Sequence, residues 1–495
     1  MSDTSSTEVK YPVTTRAFGL AIIVLSGLQL MVVLDGTVAN LALAPLQADL
    51  GLSDAGRNWV LTSYALAFGG LMLLGGRLGD AFGRKKMFLA GVVLFTIASL
   101  LCGLAINEAT LVAARALQGV GAAVASPTAF ALVATTFAPG PVRNQAIAIY
   151  AAMTGVGSIA GLIIGGALTE VSWRWIFLIN VPIGVVIVVL AVVSLQETVG
   201  AKLPLDVPGA ILATLGCTGV VLALSEGTEL GWTNPIVIVS LLAGLLFLGL
   251  FLLVERRADN PLLPFSLFGS RDRVATFVAI FFAGGVMFCL AAYVALFVQD
   301  ILGYSPLHAG LAFVPFAFGL GAAAFLASQL VTRIAPRWLI LSGAVIMVGW
   351  LMVSVATMNA DSSYFPGLFF PVIGIGFGVG LTVVPLPLCA IAGVSPTEIG
   401  PLTAIALVAQ TLGGPLALAV IGALVTSRTL SLGGISGPAT LMNDTQLDAL
   451  SSGYMFALFC CAVCAVVAGI AAVFIRFTPQ QVAQAQAAQE DVQKG

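Results

Sequence analysis

Charge is what this chain has least of. Of 495 residues only 20 are Lys or Arg and 22 are Asp or Glu, while 59% are hydrophobic. A water-soluble domain of this length could not cover its surface with so little charge, which excludes a soluble enzyme or binding module. The net charge of -2 leaves no basic footprint for nucleic acid. Histidine is nearly missing as well. The single His308 sits at a loop-to-helix junction and cannot build a metal site alone, and a catalytic triad has nowhere to sit. The cysteines at 102, 217, 289, 389, 460, 461 and 464 fall within apolar runs, without metal-like spacing or an evident disulfide partner. They read as small core hydrophobes. No metal or other cofactor is expected.

What is present is a succession of apolar runs, each long enough for a hydrocarbon core of about 30 Å. They cover 17–44, 57–75, 87–106, 109–131, 145–168, 174–194, 207–225, 234–254, 274–298, 308–330, 338–357, 364–388, 401–426 and 453–475, fourteen in all. The first follows a polar tail (1–16), is too long for a signal-peptide core and lacks a convincing cleavage site, so it reads as an uncleaved span. The run at 364–388 is broken by Pro385 and Pro387, whose freed backbone groups must be satisfied inside protein or a wet cavity. The expectation is an all-α polytopic membrane protein.

Basic residues set the expected orientation. With the N-terminus inside, Lys10, Arg16, Arg77, Arg84, Lys85, Lys86, Arg143, Lys202, Arg256, Arg257, Arg271, Arg273, Arg333, Arg337, Arg476 and Lys494 all lie inside. Only Arg57, Arg174 and Arg428 then lie outside. Both termini are therefore expected in the cytoplasm, in the plasma membrane of a bacterial cell. The runs group as two six-span halves, 17–194 and 274–475, around a linker (195–273) that carries an inserted pair of spans, with a C-terminal tail at 476–495. Faint internal similarity supports the halves. Gly76 to Asp80 followed by Arg84 and Lys85 corresponds to Ser328-Gln329-Leu330 followed by Arg333 and Arg337, and Gly161 to Gly166 has a loose counterpart in Gly413-Gly414-Pro415. Halved repeats around a midplane site are typical of secondary transporters.

Asp35 and Arg115 are the two charges expected deep inside spans. An ionised group in hydrocarbon costs a few kcal/mol or more, so each is a functional candidate. Asp35 lies roughly 14 Å and Arg115 roughly 9 Å from the outer ends of their runs at 1.5 Å per residue, close enough in depth to share a network. One acid and one base placed in this way suggest a proton-linked transport step. The plainer readings are a hydrogen-bonded structural acid and an arginine bracing backbone carbonyls.

The loop Gly76-Arg77-Leu78-Gly79-Asp80-Ala81-Phe82-Gly83-Arg84-Lys85-Lys86 carries the strongest pattern. Glycine permits a tight turn, and its carboxylate can cap a helix or pair with the following cations. A loop that only set topology would need neither the acid nor the glycine spacing. The pattern resembles the signature loop of the major facilitator superfamily. Leu34-Asp35-Gly36-Thr37-Val38-Ala39-Asn40-Leu41-Ala42-Leu43-Ala44-Pro45 resembles the first-span motif of its fourteen-span drug/proton antiporters, and Arg115-Ala116-Leu117-Gln118-Gly119-Val120-Gly121-Ala122 their fourth-span motif. Gly157, Gly161, Gly165 and Gly166 match the antiporter glycine pattern, and Trp173 to Pro182 resembles the segment after it. Leu162 departs from the proline usual in that pattern, which removes an expected kink. For the glycines, close helix packing and gating are both open readings.

The resemblance covers 17–475 and implies the major facilitator fold and a proton-coupled antiporter that exports amphipathic, possibly cationic, drug-like compounds by alternating access. It implies Asp35 and Arg115 as coupling residues, and Gly76, Asp80, Gly83, Arg84 and Lys85 as the gating loop. Weaker candidates for a substrate cavity are Asn40, Trp59, Tyr64, Gln118, Tyr293 and Gln410, any of which also reads as a packing residue. Glu226 and Glu229, with Trp232, mark the outer connection of the inserted pair and read as surface rather than as a cation-attracting vestibule. The expected partners are a small-molecule substrate, protons and the lipid bilayer, with no nucleic acid, for a monomer. Export of an endogenous lipid, siderophore or self-made antibiotic on the same scaffold is the second transport reading. A membrane-embedded transferase would need clustered catalytic His, Asp or Glu at one interface, which the sequence lacks. A channel is disfavoured by the two pseudo-repeated halves.

Overall fold

The computed structural model describes residues 15–137, 141–197, 206–227, 230–257, 269–359, 362–394, 396–482 and 484. Within them fourteen helices are long and apolar enough to cross a membrane: α1 Gly19–Leu50, α2 Asp54–Phe82, α3 Arg84–Gly103, α4 Glu108–Val133, α5 Gln145–Val171, α6 Trp175–Ser194, α7 Val207–Glu226, α8 Pro235–Glu255, α9 Arg271–Ile301, α10 Pro306–Leu330, α11 Pro336–Thr357, α12 Phe369–Ala390, α13 Leu402–Ser431 and α14 Asp444–Val473. No strand occurs among the described residues. Capping chemistry marks the helix starts. Asn107 and Thr110 form a capping box on α4, Asn443 and Gln446 form one on α14, and Pro235, Pro306 and Pro336 begin α8, α10 and α11. A proline in the first turn forfeits no internal hydrogen bond there.

Three corrections to the sequence reading follow from helix length. The helix α2 starts at Asp54 rather than at 57, so Arg57 belongs to its first turn and is only 2% exposed. Buried charge is thus not confined to Asp35 and Arg115. The same helix also runs on through Gly76, Gly79 and Asp80, and the turn into α3 narrows to Gly83 at φ 103°. Only Gly83 uses glycine's left-handed freedom; Gly76 and Gly79 are helical and face Pro127 and Thr128 of α4. Finally, Asp80 caps no helix and pairs instead with Arg84, with Nη2 at 2.8 Å.

The two six-helix halves share one packing plan. In α1–α6, α5 lies on α1, α4 on α2 and α6 on α3; in α9–α14, α13 lies on α9, α12 on α10 and α14 on α11. The inserted helix α7 packs on α2 and α13, bridging the halves, whereas α8 packs chiefly on α7. At the end of the bundle holding Leu50, Asp54, Asp300 and Ser436, here the far face, one apolar core runs across both halves, from Leu41 and Leu46 to Leu290, Phe297 and Tyr454. At the opposite end, which holds Arg84, Lys85, Arg271 and Arg333 and is here the basic face, the core divides. Leu25, Phe88 and Phe137 belong to one cluster, and Ile280, Leu339 and Ile475 to another. The halves are joined at the far face and separately packed at the basic face.

Candidate functional site

Asp35 and Arg115 meet. Arg115 Nη1 lies 2.7 Å from Asp35 Oδ2, and both side chains are 1% exposed. Arg115 is the largest fully buried side chain described. Its Nε donates to the Val60 carbonyl at 2.9 Å, and Nη1 also donates to Gln118 Oε1 at 2.7 Å. The Tyr64 ring lies 4.4 Å from the guanidinium carbon and Phe177 lies 5.5 Å from it, both favourable cation–π distances. On Asp35, Oδ1 accepts from Gln118 Nε2 at 2.8 Å and from Asn180 Nδ2 at 2.9 Å. Ser99 closes the ring, accepting from Gln118 and Asn180 and donating to the Phe177 carbonyl. Side chains from α1, α3, α4 and α6 thus form one network around the Asp35 carboxylate. Charge-assisted bonds of this kind are short and strong, and losing one partner strands the other in a dry site.

Ser99 and Asn180 are not among the residues the sequence singles out. Asn180 follows the first turn of α6, beside the break at Ile179, within the Trp173–Pro182 motif. A polar residue in that otherwise apolar run was the available signal.

The glycine pattern divides by face. Gly157, Gly161 and Gly165 sit against Val33, Thr37 and Val38 of α1, on either side of Asp35, while Gly166 faces Pro306 and Leu307 of the other half. Close approach is demanded from the opposite side too, since a Cβ on Gly310 would strike the carbonyl oxygen of Leu162. The pattern therefore sets both the seat of α1 and the far-face contact between halves.

The gating-loop residues lie apart from this cluster, at the basic face. Lys85 Nζ donates to the carbonyls of Val192 and Leu195. Among the proposed cavity residues, Tyr64 and Gln118 belong to the buried cluster. Asn40 bonds the Gly36 carbonyl of its own helix, and Trp59 packs with Leu66, Val221 and Ala419 where α7 bridges the halves. Tyr293 is buried against Tyr454, with ring centroids 6.0 Å apart. Gln410 lines a cavity of about 80 Å³ in the second half, with Met287, Met347, Val379, Leu386 and Ala406. Glu226 ends α7 and Trp232 is exposed; Glu229 lies outside the described residues. Among the described residues no group of three His, Cys, Asp or Glu side chains is placed to hold a metal ion.

Comparison with known proteins matches residues 25–418 to the Major Facilitator Superfamily. The chain is 54% identical to the uncharacterized MFS-type transporter EfpA of Mycobacterium tuberculosis, over 97% of this chain and 91% of that protein. It is 40% identical to the puromycin resistance protein pur8 of Streptomyces alboniger, over 79% of this chain and 78% of that protein. Against the cephamycin export protein CmcT of Amycolatopsis lactamdurans it is 41% identical, over 75% of this chain and 77% of that protein. Among solved structures, a bacterial homolog of the human lysosomal transporter Spinster superposes with a TM-score of 0.67 at 16% identity, over 94% of this chain and all of that one. That likeness concerns the fold alone.

Proposed function

The chain belongs to the major facilitator superfamily, and from that premise we propose that it is a proton-coupled antiporter exporting amphipathic, drug-like compounds across a bacterial plasma membrane. It is a multi-pass transporter and not an enzyme. The observation carrying the proposal is the sealed Asp35–Arg115 pair, ringed by polar side chains from four helices in an otherwise apolar bundle. A buried ion pair adds little net stability compared with well-packed apolar residues, so its presence needs a reason other than folding.

In this reading the basic face is cytoplasmic, in keeping with the positive-inside rule. Asp35 takes up a proton from outside when the far face opens and gives it up when the basic face opens. Substrate and proton alternate because they compete for the negative site at Asp35. The driving force suffices. One proton moving down 100 mV releases about 2.3 kcal/mol, half a pH unit adds about 0.7, and the roughly 3 kcal/mol total sustains a gradient on the order of 150-fold for a neutral substrate. Expulsion of a monocation in 1:1 exchange would be electroneutral, leaving only the pH term.

The drug-like substrate class is supported by relatives named for puromycin resistance and cephamycin export. The second of these, named for export, leaves export of a self-made antibiotic as the alternative. The test is efflux from proteoliposomes across a compound panel, with and without an imposed pH gradient, for wild type and Asp35→Asn. Gradient-driven efflux in wild type alone is the expected result. Equal gradient-driven efflux by both proteins would place the coupling acid elsewhere.

A further inference from the structure

A second buried polar cluster lies at the far face and crosses between the halves. In α2, Arg57 Nη1 donates to Gln47 Oε1 at 2.9 Å and reaches Asp54 Oδ1 at 3.6 Å. Gln47 Nε2 in turn donates to Asp54 Oδ1 at 3.0 Å. From the other half Tyr454, fully buried on α14, places its hydroxyl 3.4 Å from Arg57 Nη1 and donates to Asp300 Oδ2 at 2.7 Å. The Asp54 backbone N–H also points at Ser436 Oγ across the same seam, at 3.4 Å. Asp54 pairs directly with the Arg57 guanidinium, and Asp300 of the other half reaches it through the Tyr454 hydroxyl, in the place where the joint apolar core is continuous.

Two features tie this cluster to the coupling site. Gln47 lies on α1, twelve residues beyond Asp35, so one continuous helix carries both, with Pro45 removing an internal hydrogen bond only in the turn just before Gln47. Its seat against α5 is made of glycines, which present few side-chain obstacles to sliding or rotation of α1. A movement of α1 at Asp35 displaces Gln47, and with it the ordering of Arg57 and Asp54.

We propose that Gln47, Arg57, Tyr454 and Asp300 form the latch that holds the far face shut, and that α1 is the rod through which the state of Asp35 releases it. Opening the far face withdraws Tyr454 and Asp300 from Arg57, while Gln47 decides how well Arg57 is aimed at them. The rod half of the proposal rests on Asp35 being the coupling acid; the latch half does not. These are positioning residues, since none of them need touch the substrate.

The test measures the far-face distance directly. Spin labels at Ile106→Cys and Leu441→Cys, exposed far-face positions in the two halves, are read in the full-length protein in lipid nanodiscs, with the unmutated protein as the background for native cysteines. Tyr454→Phe and Asp300→Asn should each raise the ratio of long to short distances at least roughly fivefold, as expected for loss of one ordinary hydrogen bond. Unchanged ratios in both folded variants would overturn the latch. Asp35→Asn should also raise the ratio roughly fivefold, the low end for coupled sites, and Gln47→Leu should erase that response. A full response retained with Gln47→Leu, or none in either background, would overturn the rod. Neither latch variant needs a proton gradient or substrate for its reading. Failure of proton coupling is therefore seen separately, as gradient-driven efflux surviving in Asp35→Asn.

Discussion

The two halves place equivalent helices in equivalent contacts but bury different chemistry. In the first half the meeting point of α1, α3, α4 and α6 holds Asp35, Ser99, Arg115, Gln118 and Asn180. In the second half the matching helices α9, α11, α12 and α14 bring together Cys289, Leu290, Leu351, Val379 and Cys461. The same packing plan thus works with an apolar centre. The charges of the first half are not required by the architecture, which makes them evidence for a task. The second half instead keeps an apolar slot whose polar lining is limited to Thr382, Thr403 and Gln410. Under the proposed function, energy coupling and accommodation of an apolar substrate moiety would be divided between repeats.

The most direct way to break this division is to remove one charge of the pair. Arg115→Ala leaves Asp35 in a dry site with two amide donors, and stranding one partner of a buried pair costs about 3–5 kcal/mol. A large fall in melting temperature and loss of gradient-driven efflux are expected. Arg115→Lys should not restore efflux, because an ammonium lacks the fork that reaches Asp35, Gln118 and the Val60 carbonyl at once. Full transport by Arg115→Lys would show that charge alone suffices and that the polar ring is dispensable.

Much of this division was legible in the sequence. Long apolar runs fix the number of spans because bilayer thickness fixes their length, and a charge inside such a run announces itself by its cost. Thus Asp35 and Arg115 could be picked out, and Gln118 stood one helical turn from Arg115. The far-face cluster was not legible. Arg57 and Asp300 stand at the ends of apolar runs, where hydropathy cannot separate a solvated charge from one bonded to Tyr454, 397 and 154 residues away in sequence, respectively. Likewise, the glycines of α5 read as packing or gating; only three-dimensional placement showed three facing α1 and one facing the other half. Several helices, α1, α2 and α13 most clearly, run on past their apolar runs because amphipathic or charged turns continue the helix, whereas α3 and α14 end slightly before theirs.

The seam between the halves gives a smaller handle on the same comparison. Gly310→Val puts side-chain atoms where the Leu162 carbonyl already lies. Overpacking of this kind costs typically about 1–3 kcal/mol, and here it is relieved by separating the halves at the far face. The expected outcome is a lowered melting temperature together with increased labelling of a far-face cysteine by an impermeant thiol reagent. Destabilisation without increased labelling would mean that the strain is absorbed within the second half. Asp80→Asn probes the opposite face and should barely touch stability, because its pair with Arg84 is substantially exposed and exposed pairs contribute about 0–1 kcal/mol. Turnover is expected to fall several-fold at an unchanged melting temperature; wild-type turnover would remove the loop from the gating mechanism.

The most selective expected effect, confined to the bulkiest compounds, lies in the second half, and it sharpens the comparison most. If the slot beside Gln410 receives an apolar part of the substrate, filling it should change which compounds are exported without disturbing coupling. Ala406→Phe adds a ring to a lining position of a cavity of only about 80 Å³. Nearby Met287 and Met347 are unbranched and can shift to admit part of the added volume. Discrimination in an apolar pocket is worth about 1–3 kcal/mol per methylene-sized change. Methionine relief should hold the loss near the lower end, roughly tenfold in efflux rate for the bulkiest substrates and little for compact ones. The proton-to-substrate ratio should stay at its wild-type value for every compound still exported, because Asp35 and Arg115 lie in the other half. That pairing of outcomes is specific: a uniform loss for all compounds would mark Ala406 as a folding position, whereas an altered ratio would mean that the apolar half takes part in coupling and that the two repeats are not divided in the way their buried chemistry suggests.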